Sequence, residues 1–242
     1  MADRRQLVQE MYARLHAAYG PQNWWPAESR FEVVVGAILT QNTSWKNVEK
    51  AMAELRRARR LSVAGIRRTP APQLARLIHS SGYFRQKAKR LKNFVVWIDR
   101  VYGGSLARMF AQPTDKLRAE LLALNGIGPE TADSILLYAG GHPVFVVDAY
   151  TRRVLERHRL ARKKTKYEQI RGRMEAALCD AMAPDKCAAR PMHPPSRMSR
   201  ARPSGAAGVF HDMHALIVRV GYDYCKKKAE CAGCPLEPLL TR

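Results

Sequence analysis

The chain has 242 residues, 46% of them apolar, enough for a real core in one large domain or two small ones and too apolar for a disordered chain. Its 42 Lys and Arg against 21 Asp and Glu leave a net charge of +21, spread along the chain rather than gathered in a tail. Such an excess points to a polyanion, with nucleic acid favoured over an anionic membrane surface.

The charged, amphipathic start MADRRQLVQEMYARL does not read as a signal peptide, and no run has the length of a membrane span. A cytoplasmic protein is expected, in a compartment where structural disulfides are rare. Apolar spacing at three and four (Leu7, Val8, Met11, Leu15) predicts a helix over 4–18. The loop-like PQNWWPAESRF, residues 21–31, places Trp24, Trp25 and Pro26 together. RFEVVVGAIL, 30–39, is apolar almost all round, the pattern of a buried helix. QNTSWKN then leads through Trp45 into a helix near 45–58. Further helices are predicted near 72–79, 85–101, 114–123, 130–139, 149–158, 165–180 and 209–220. Only PVFVVD, 143–148, reads as a strand, and it is too short to imply a sheet, so the fold class is all-α. Residues 182–208 hold five prolines and little apolar pattern. This segment reads as a loop or disordered insertion, either an extra basic contact or a tether.

The densest signal is ALNGIGPETADSIL, 123–136. A helix ending at Leu124 meets two glycines, Gly126 and Gly128, that can take positive φ and let the backbone approach another surface. Pro129 suits the first turn of the next helix. The result is a helix–hairpin–helix whose backbone N–H groups and helix amino terminus favour an anion, such as a DNA phosphate gripped without regard to sequence. On Gly-x-Gly alone, an ordinary turn between packed helices reads equally well.

The next residues bear on that choice. LNGIGPETADSILLYAGGHPVFVVDAYTRRVLERHRL resembles the helix–hairpin–helix plus Gly/Pro-Asp signature of the endonuclease III superfamily of DNA glycosylases. The matching parts are the hairpin from Leu124 to Gly128, TAD at 131–133 with Thr131 first, and HPVFVVDAYTRRV at 142–154. The likeness extends upstream to AILTQNTSWKNVEKA and downstream to the clustered cysteines, leaving out only 182–208. It implies two helical domains, here about 29–143, with the hairpin near 114–139, and 1–28 with 144–242. Double-stranded DNA would lie in the groove between them, with the damaged base flipped out. A monomer, nucleoid-associated, is expected.

By this resemblance Asp148 is the catalytic carboxylate. Breaking a base–sugar bond builds positive charge on the sugar, which a fixed carboxylate stabilises while it orients or deprotonates the attacking water. Asp is also a favoured N-cap, and residues 149–158 form a predicted helix, so the two roles stand side by side. Family members that also cut the strand carry a lysine two residues after the second hairpin glycine, where its amine forms a Schiff base. Here that position is Glu130, which cannot form an imine, so the resemblance implies a monofunctional glycosylase. Trp24, Trp25, Pro26 and Trp45 read either as core tryptophans and a domain plug or as a stacking pocket. Together with Glu130 they resemble the 3-methyladenine DNA glycosylases of endonuclease III type, in which such residues wall an apolar pocket. An N3-alkylated purine is cationic, attracted to aromatic faces and already a good leaving group. The likeness places Gln41 and Asn42 at the gap left by the flipped nucleotide. His211 and His214, on the helix after the insertion, either border the pocket or satisfy helix packing.

CKKKAECAGC supplies Cys225, Cys231 and Cys234. Many family members bind a [4Fe-4S] cluster through four cysteines in such a loop, spaced six, two and five apart. Here the gaps are five and two, and Leu240 stands where the fourth cysteine belongs. Cys187 or Cys179 as substitute ligand, one iron without a cysteine, a zinc completed by a histidine, and a metal-free loop all remain open. Lys226, Lys227 and Lys228 would meet DNA phosphate in each case. Alternative readings are a glycosylase for oxidised pyrimidines or mispaired bases, with some strand cleavage, and a non-catalytic DNA-binding protein.

Overall fold

The computed structural model describes residues 4–179, 181, 191–201 and 203–240. They form an all-helical protein with two compact units, residues 27–140 and residues 1–26 with 141–242. No described helix is long and apolar enough to cross a membrane.

The middle unit is built round α2 (Arg30–Leu39), all of whose residues but the first are buried. Ser29 caps it by accepting from the Glu32 amide at 3.2 Å. Glu32 turns back to accept from the Glu28 amide and pairs with Arg56 of α3 (Trp45–Arg57). Its carboxylate is thus buried with partners rather than orphaned. Two short helices follow, α4 (Val63–Arg68) and α5 (Ala71–Leu77), packed on the long α6 (Phe84–Tyr102). Gly103 in the left-handed region ends α6, and α7 (Leu106–Phe110) and α8 (Thr114–Leu122) lead to the hairpin. α9 starts at Pro129, runs as α-helix to Ser134 and continues as a π-helical turn over Ile135–Gly140. That turn packs on α2. The C-terminal carbonyl of α2 is satisfied by an unexpected group. Lys87 of α6 is buried, and its Nζ donates to Leu39 O at 2.8 Å and Ser81 O at 2.6 Å. Burial lowers its pKa to about 8.

The other unit packs α1 (Arg4–Tyr19), α10 (Ala149–Arg157) and α11 (Tyr167–Leu178) on α13 (Gly205–Asp223). α10 and α13 approach closely because Gly221 has no side chain: a Cβ there would lie 2.5 Å from the Tyr150 ring. Residues 143–148 form no strand. They lead irregularly into α10, with residues 144–147 buried, and side chains of α11 hold two of their amides. Phe145 N–H donates to Glu175 Oε1 at 2.9 Å and Val147 N–H to Tyr167 Oη at 3.3 Å. A run of apolar residues, three of them β-branched, has no partner strand among the described residues, so tertiary burial uses it as a covered connector.

The proline-rich segment departs from the sequence reading. Its described part is ordered: Ser196 caps the short α12 (Arg197–Arg200), and α13 begins at Gly205, four residues before the predicted helix. Residues 182–190, Cys187 among them, lie outside the described residues.

Candidate active site

The hairpin assigns its two glycines different work. Gly126 has φ +88°, and a Cβ there would fall 2.3 Å from Arg90 Nε. Gly128 has φ −91° and ψ 177°, an extended conformation open to any residue, so the expectation of positive φ fails at this position. Open space surrounds it: nothing lies within 4 Å of where its Cβ would be. Ile127 N–H donates to Leu124 O at 3.0 Å and closes the turn. Leu124 is half-buried, Thr131 buried, and Gly128 and Glu130 exposed.

Gln41 is tied into this turn. Its Nε2 donates to Gly126 O at 2.9 Å and to Thr131 Oγ1 at 2.8 Å, while Arg90 donates to its Oε1. So the residue expected to border a nucleotide gap also braces the hairpin. Asn42, its neighbour, is exposed with φ +54°. Beneath the turn, Arg118 of α8 makes a two-bond pair with Asp133 of α9, at 2.7 and 3.1 Å, with Asp133 fully buried. This clamp fixes the two hairpin helices to each other. Sequence reading matched TAD to a motif but had no signal for the arginine fifteen residues earlier.

In the other unit, Asp148 caps α10. Its Oδ1 accepts from the Thr151 amide at 2.7 Å, and its Oδ2 lies 3.6 Å from His214 Nε2 of α13. The carboxyl keeps 16% of its surface exposed. Burial pushes its pKa up, but the His214 imidazole and the Thr151 amide outweigh that and hold it below the usual carboxylate value. An ionised carboxylate held at a helix amino terminus is also favoured by the dipole. Capping and a fixed, partly accessible negative charge coexist. His214 is buried, with Phe145 edge-on to its ring at 6.3 Å. His211 is buried on the same helix.

Trp24 and Trp25 are buried, at 8% and 5% exposure, and Pro26 is half-buried. Their ring centroids are 5.3 Å apart, and the described part of the proline-rich segment covers them. Trp45 belongs to the middle unit, where it opens α3 and its Nε1 donates to Glu49 at 3.0 Å.

The cysteine loop is held by arginines of α10. Arg153 donates to Cys225 O, and Arg157 donates to Lys226 O at 2.6 Å, to Lys227 O at 2.9 Å and to Cys225 Sγ at 3.0 Å. Cys225, Cys231 and Cys234 are free thiols lining one small cavity with His158. Burial pushes the Cys234 thiol up in pKa. Leu240 occupies the fourth ligand's place, Cys179 ends α11 with its thiol on Ala176 O, and no described His, Cys, Asp or Glu trio is arranged to hold a metal. The described residues therefore do not fit a four-cysteine [4Fe-4S] site. Lys226 pairs with Glu230 at 2.8 Å, while Lys227 and Lys228 are exposed.

Comparison with known proteins agrees with this layout. The model of the HhH-GPD superfamily of base excision DNA repair proteins matches residues 35–178. A Methanocaldococcus jannaschii protein bearing a DNA repair glycosylase name is 42% identical over 238 residues, 96% of this chain and 94% of its own length. Thermotoga maritima endonuclease III is 32% identical over 127 residues, 52% of this chain and 55% of its own. Among solved structures, H. pylori 3-methyladenine DNA glycosylase bound to 1,N6-ethenoadenine superposes with a TM-score of 0.71 at 26% identity, over 91% of this chain and 97% of that one. A trapped endonuclease III–DNA covalent intermediate shares the fold at TM-score 0.71 and 21% identity, over 99% and 96% of the two chains. With the hairpin, the capped aspartate and these matches together, the chain belongs to the helix–hairpin–helix, Gly/Pro-Asp superfamily of base excision repair proteins and is a DNA glycosylase of endonuclease III type, hydrolysing N-glycosidic bonds.

Proposed function

We propose that this glycosylase removes alkylated purines, 3-methyladenine among them, from double-stranded DNA, acts as a monomer, and leaves the abasic strand uncut. The observation that carries the reading is the pairing of an ionised, partly exposed Asp148 with a glutamate at the lyase position. The C1′–N bond breaks, and the departing base takes the electron pair. An N3-alkylated purine leaves as a neutral base, so no acid need protonate it. Asp148 offsets the cation that develops on the sugar, and water adds at C1′ while a proton passes to the carboxylate. Glu130 is exposed in the first turn of α9 and has no amine with which to trap the sugar.

The hairpin supports a phosphate grip. Open space around Gly128 gives its glycine no reason within the chain, whereas a phosphate approaching the backbone beside the start of α9 would require one. Lys227 and Lys228, on a loop fastened by Arg153 and Arg157, add charge whether or not the loop holds a metal. Trp24, Trp25 and Pro26 supply an aromatic wall for a cationic base, with Trp45 as a further stacking residue.

The test is release of free base from duplex DNA carrying alkylated purines, with and without a later alkali step. Free 3-methyladenine, with strand breaks only after alkali, is expected. Breaks without alkali overturn the monofunctional reading. Release confined to oxidised pyrimidines or mispaired bases in a lesion panel overturns the substrate.

A further inference from the structure

The tryptophan segment is not held by its own neighbours alone. Ser196, at the amino end of α12, is buried, and its Oγ donates to Trp25 O at 3.0 Å. Asn23 Nδ2 donates to His193 O at 2.9 Å. The His193 ring lies against Trp24, centroids 5.4 Å apart and planes tilted by 44°. These contacts span about 170 residues of sequence and tie residues 23–25 to residues 193–196 at three points. The same Ser196 also caps α12 by accepting from the Ser199 amide at 3.1 Å, so the segment that reaches the tryptophans is itself fixed. A loop that merely bridged two helices would have no cause to spend a buried hydroxyl on a distant carbonyl.

We propose that residues 193–196 are a specificity-determining clamp, in which His193 packs behind Trp24 and Ser196 fixes Trp25, so that the two together set the position of the tryptophan wall. The proposal rests on the reading above that Trp24 and Trp25 wall that pocket. In a pocket that selects by stacking and shape, the spacing between ring faces decides how large a base enters. A methylated adenine carries one added carbon, whereas 1,N6-ethenoadenine carries a whole extra ring. A wall held from behind by one hydrogen bond and one ring contact discriminates between the two, and loosening either contact relaxes the discrimination. His193 and Ser196 act through the tryptophans and are positioning residues, so total activity is a poor readout and the ratio between substrates a good one.

The experiment measures single-turnover excision of 3-methyladenine and of 1,N6-ethenoadenine from otherwise identical duplexes, by the full chain and by His193→Ala, Ser196→Ala and Ser196→Thr. A partly inactive preparation scales both rates and leaves their ratio untouched. The expected result is a ratio shifted by about tenfold toward the larger base in His193→Ala and Ser196→Ala, a change on the scale one pocket contact produces. Ser196→Thr, which keeps the hydroxyl, should restore it. Ratios within twofold of the parent in both alanine variants overturn the clamp. Asn23→Gly, which removes the bond to His193 O at a position whose φ of +54° glycine also adopts without strain, gives the same reading should Ser196→Ala fail to fold. Failure of the underlying pocket shows differently: Trp24→Ala would then leave both rates unchanged, whereas with a true pocket it lowers both.

Discussion

Gly126 and Gly128 stand two residues apart and answer to different demands. Gly126 is fixed by the chain itself, through a positive φ and the Arg90 side chain against it. Gly126→Ala should destabilise the protein by about 1–3 kcal/mol in denaturant unfolding, the scale of one strained backbone position. Gly128→Ala should leave unfolding almost unchanged and weaken DNA binding, because only an approaching phosphate needs that space. Equal losses of stability in the two variants would refute this division. Asp148 allows a similar separation. Its pKa is depressed, so its contribution is present above the ordinary carboxylate range and is lost only as pH falls through the lowered value. Excision should therefore show no acid limb between about pH 5 and 7. His214→Leu removes the larger of the two supports and leaves burial to push the carboxyl up, so its rate profile should gain such a limb. An unchanged profile would mean that His214 only packs.

At the scale of elements, the hairpin helices depend on the Arg118–Asp133 pair. Arg118→Ala removes both arginine bonds from a fully buried carboxylate and should cost about 3 kcal/mol in unfolding free energy. Replacing both members by apolar residues should cost far less. The helices themselves were readable because each shows an apolar stripe at helical spacing; α2, α3, α6 and α10 stand within a residue or so of the sequence reading. The short α4, α7 and α12 were missed, since four to six residues carry too little periodicity to register. Residues 143–148 misled because β-branched burial looks alike in a strand and in a covered connector. Lys87 could not be foreseen either. A lysine in an amphipathic helix reads as solvent-facing unless the carbonyls that receive it are known.

For the whole molecule, the net charge of +21 governs association more than fold. Binding to undamaged duplex should weaken steeply with salt. Lys227→Ala and Lys228→Ala should each reduce the slope of log affinity against log salt by about one, and Lys226→Ala by less, because Glu230 already pairs with it. A parent slope that survives both substitutions would remove the cysteine loop from the DNA face. The family, the hairpin and the capping position of Asp148 were legible because their chemistry dictates residue types at fixed spacing. The bracing of Gln41 against the hairpin and the anchoring of the tryptophans by Ser196 were not, since they join residues about 85 and 170 apart through single hydrogen bonds that leave no pattern in either segment.

The central claim is that Asp148 supports water attack on the sugar, and single-turnover excision by Asp148→Asn tests it most directly. Asparagine is as good an N-cap as aspartate, so α10 and the fold should persist and DNA affinity should stay near that of the parent. Excision should fall by at least about a hundredfold, as expected when a charge that meets the transition state is removed. Excision near the parent rate, with binding intact, would contradict the account and return Asp148 to a structural cap.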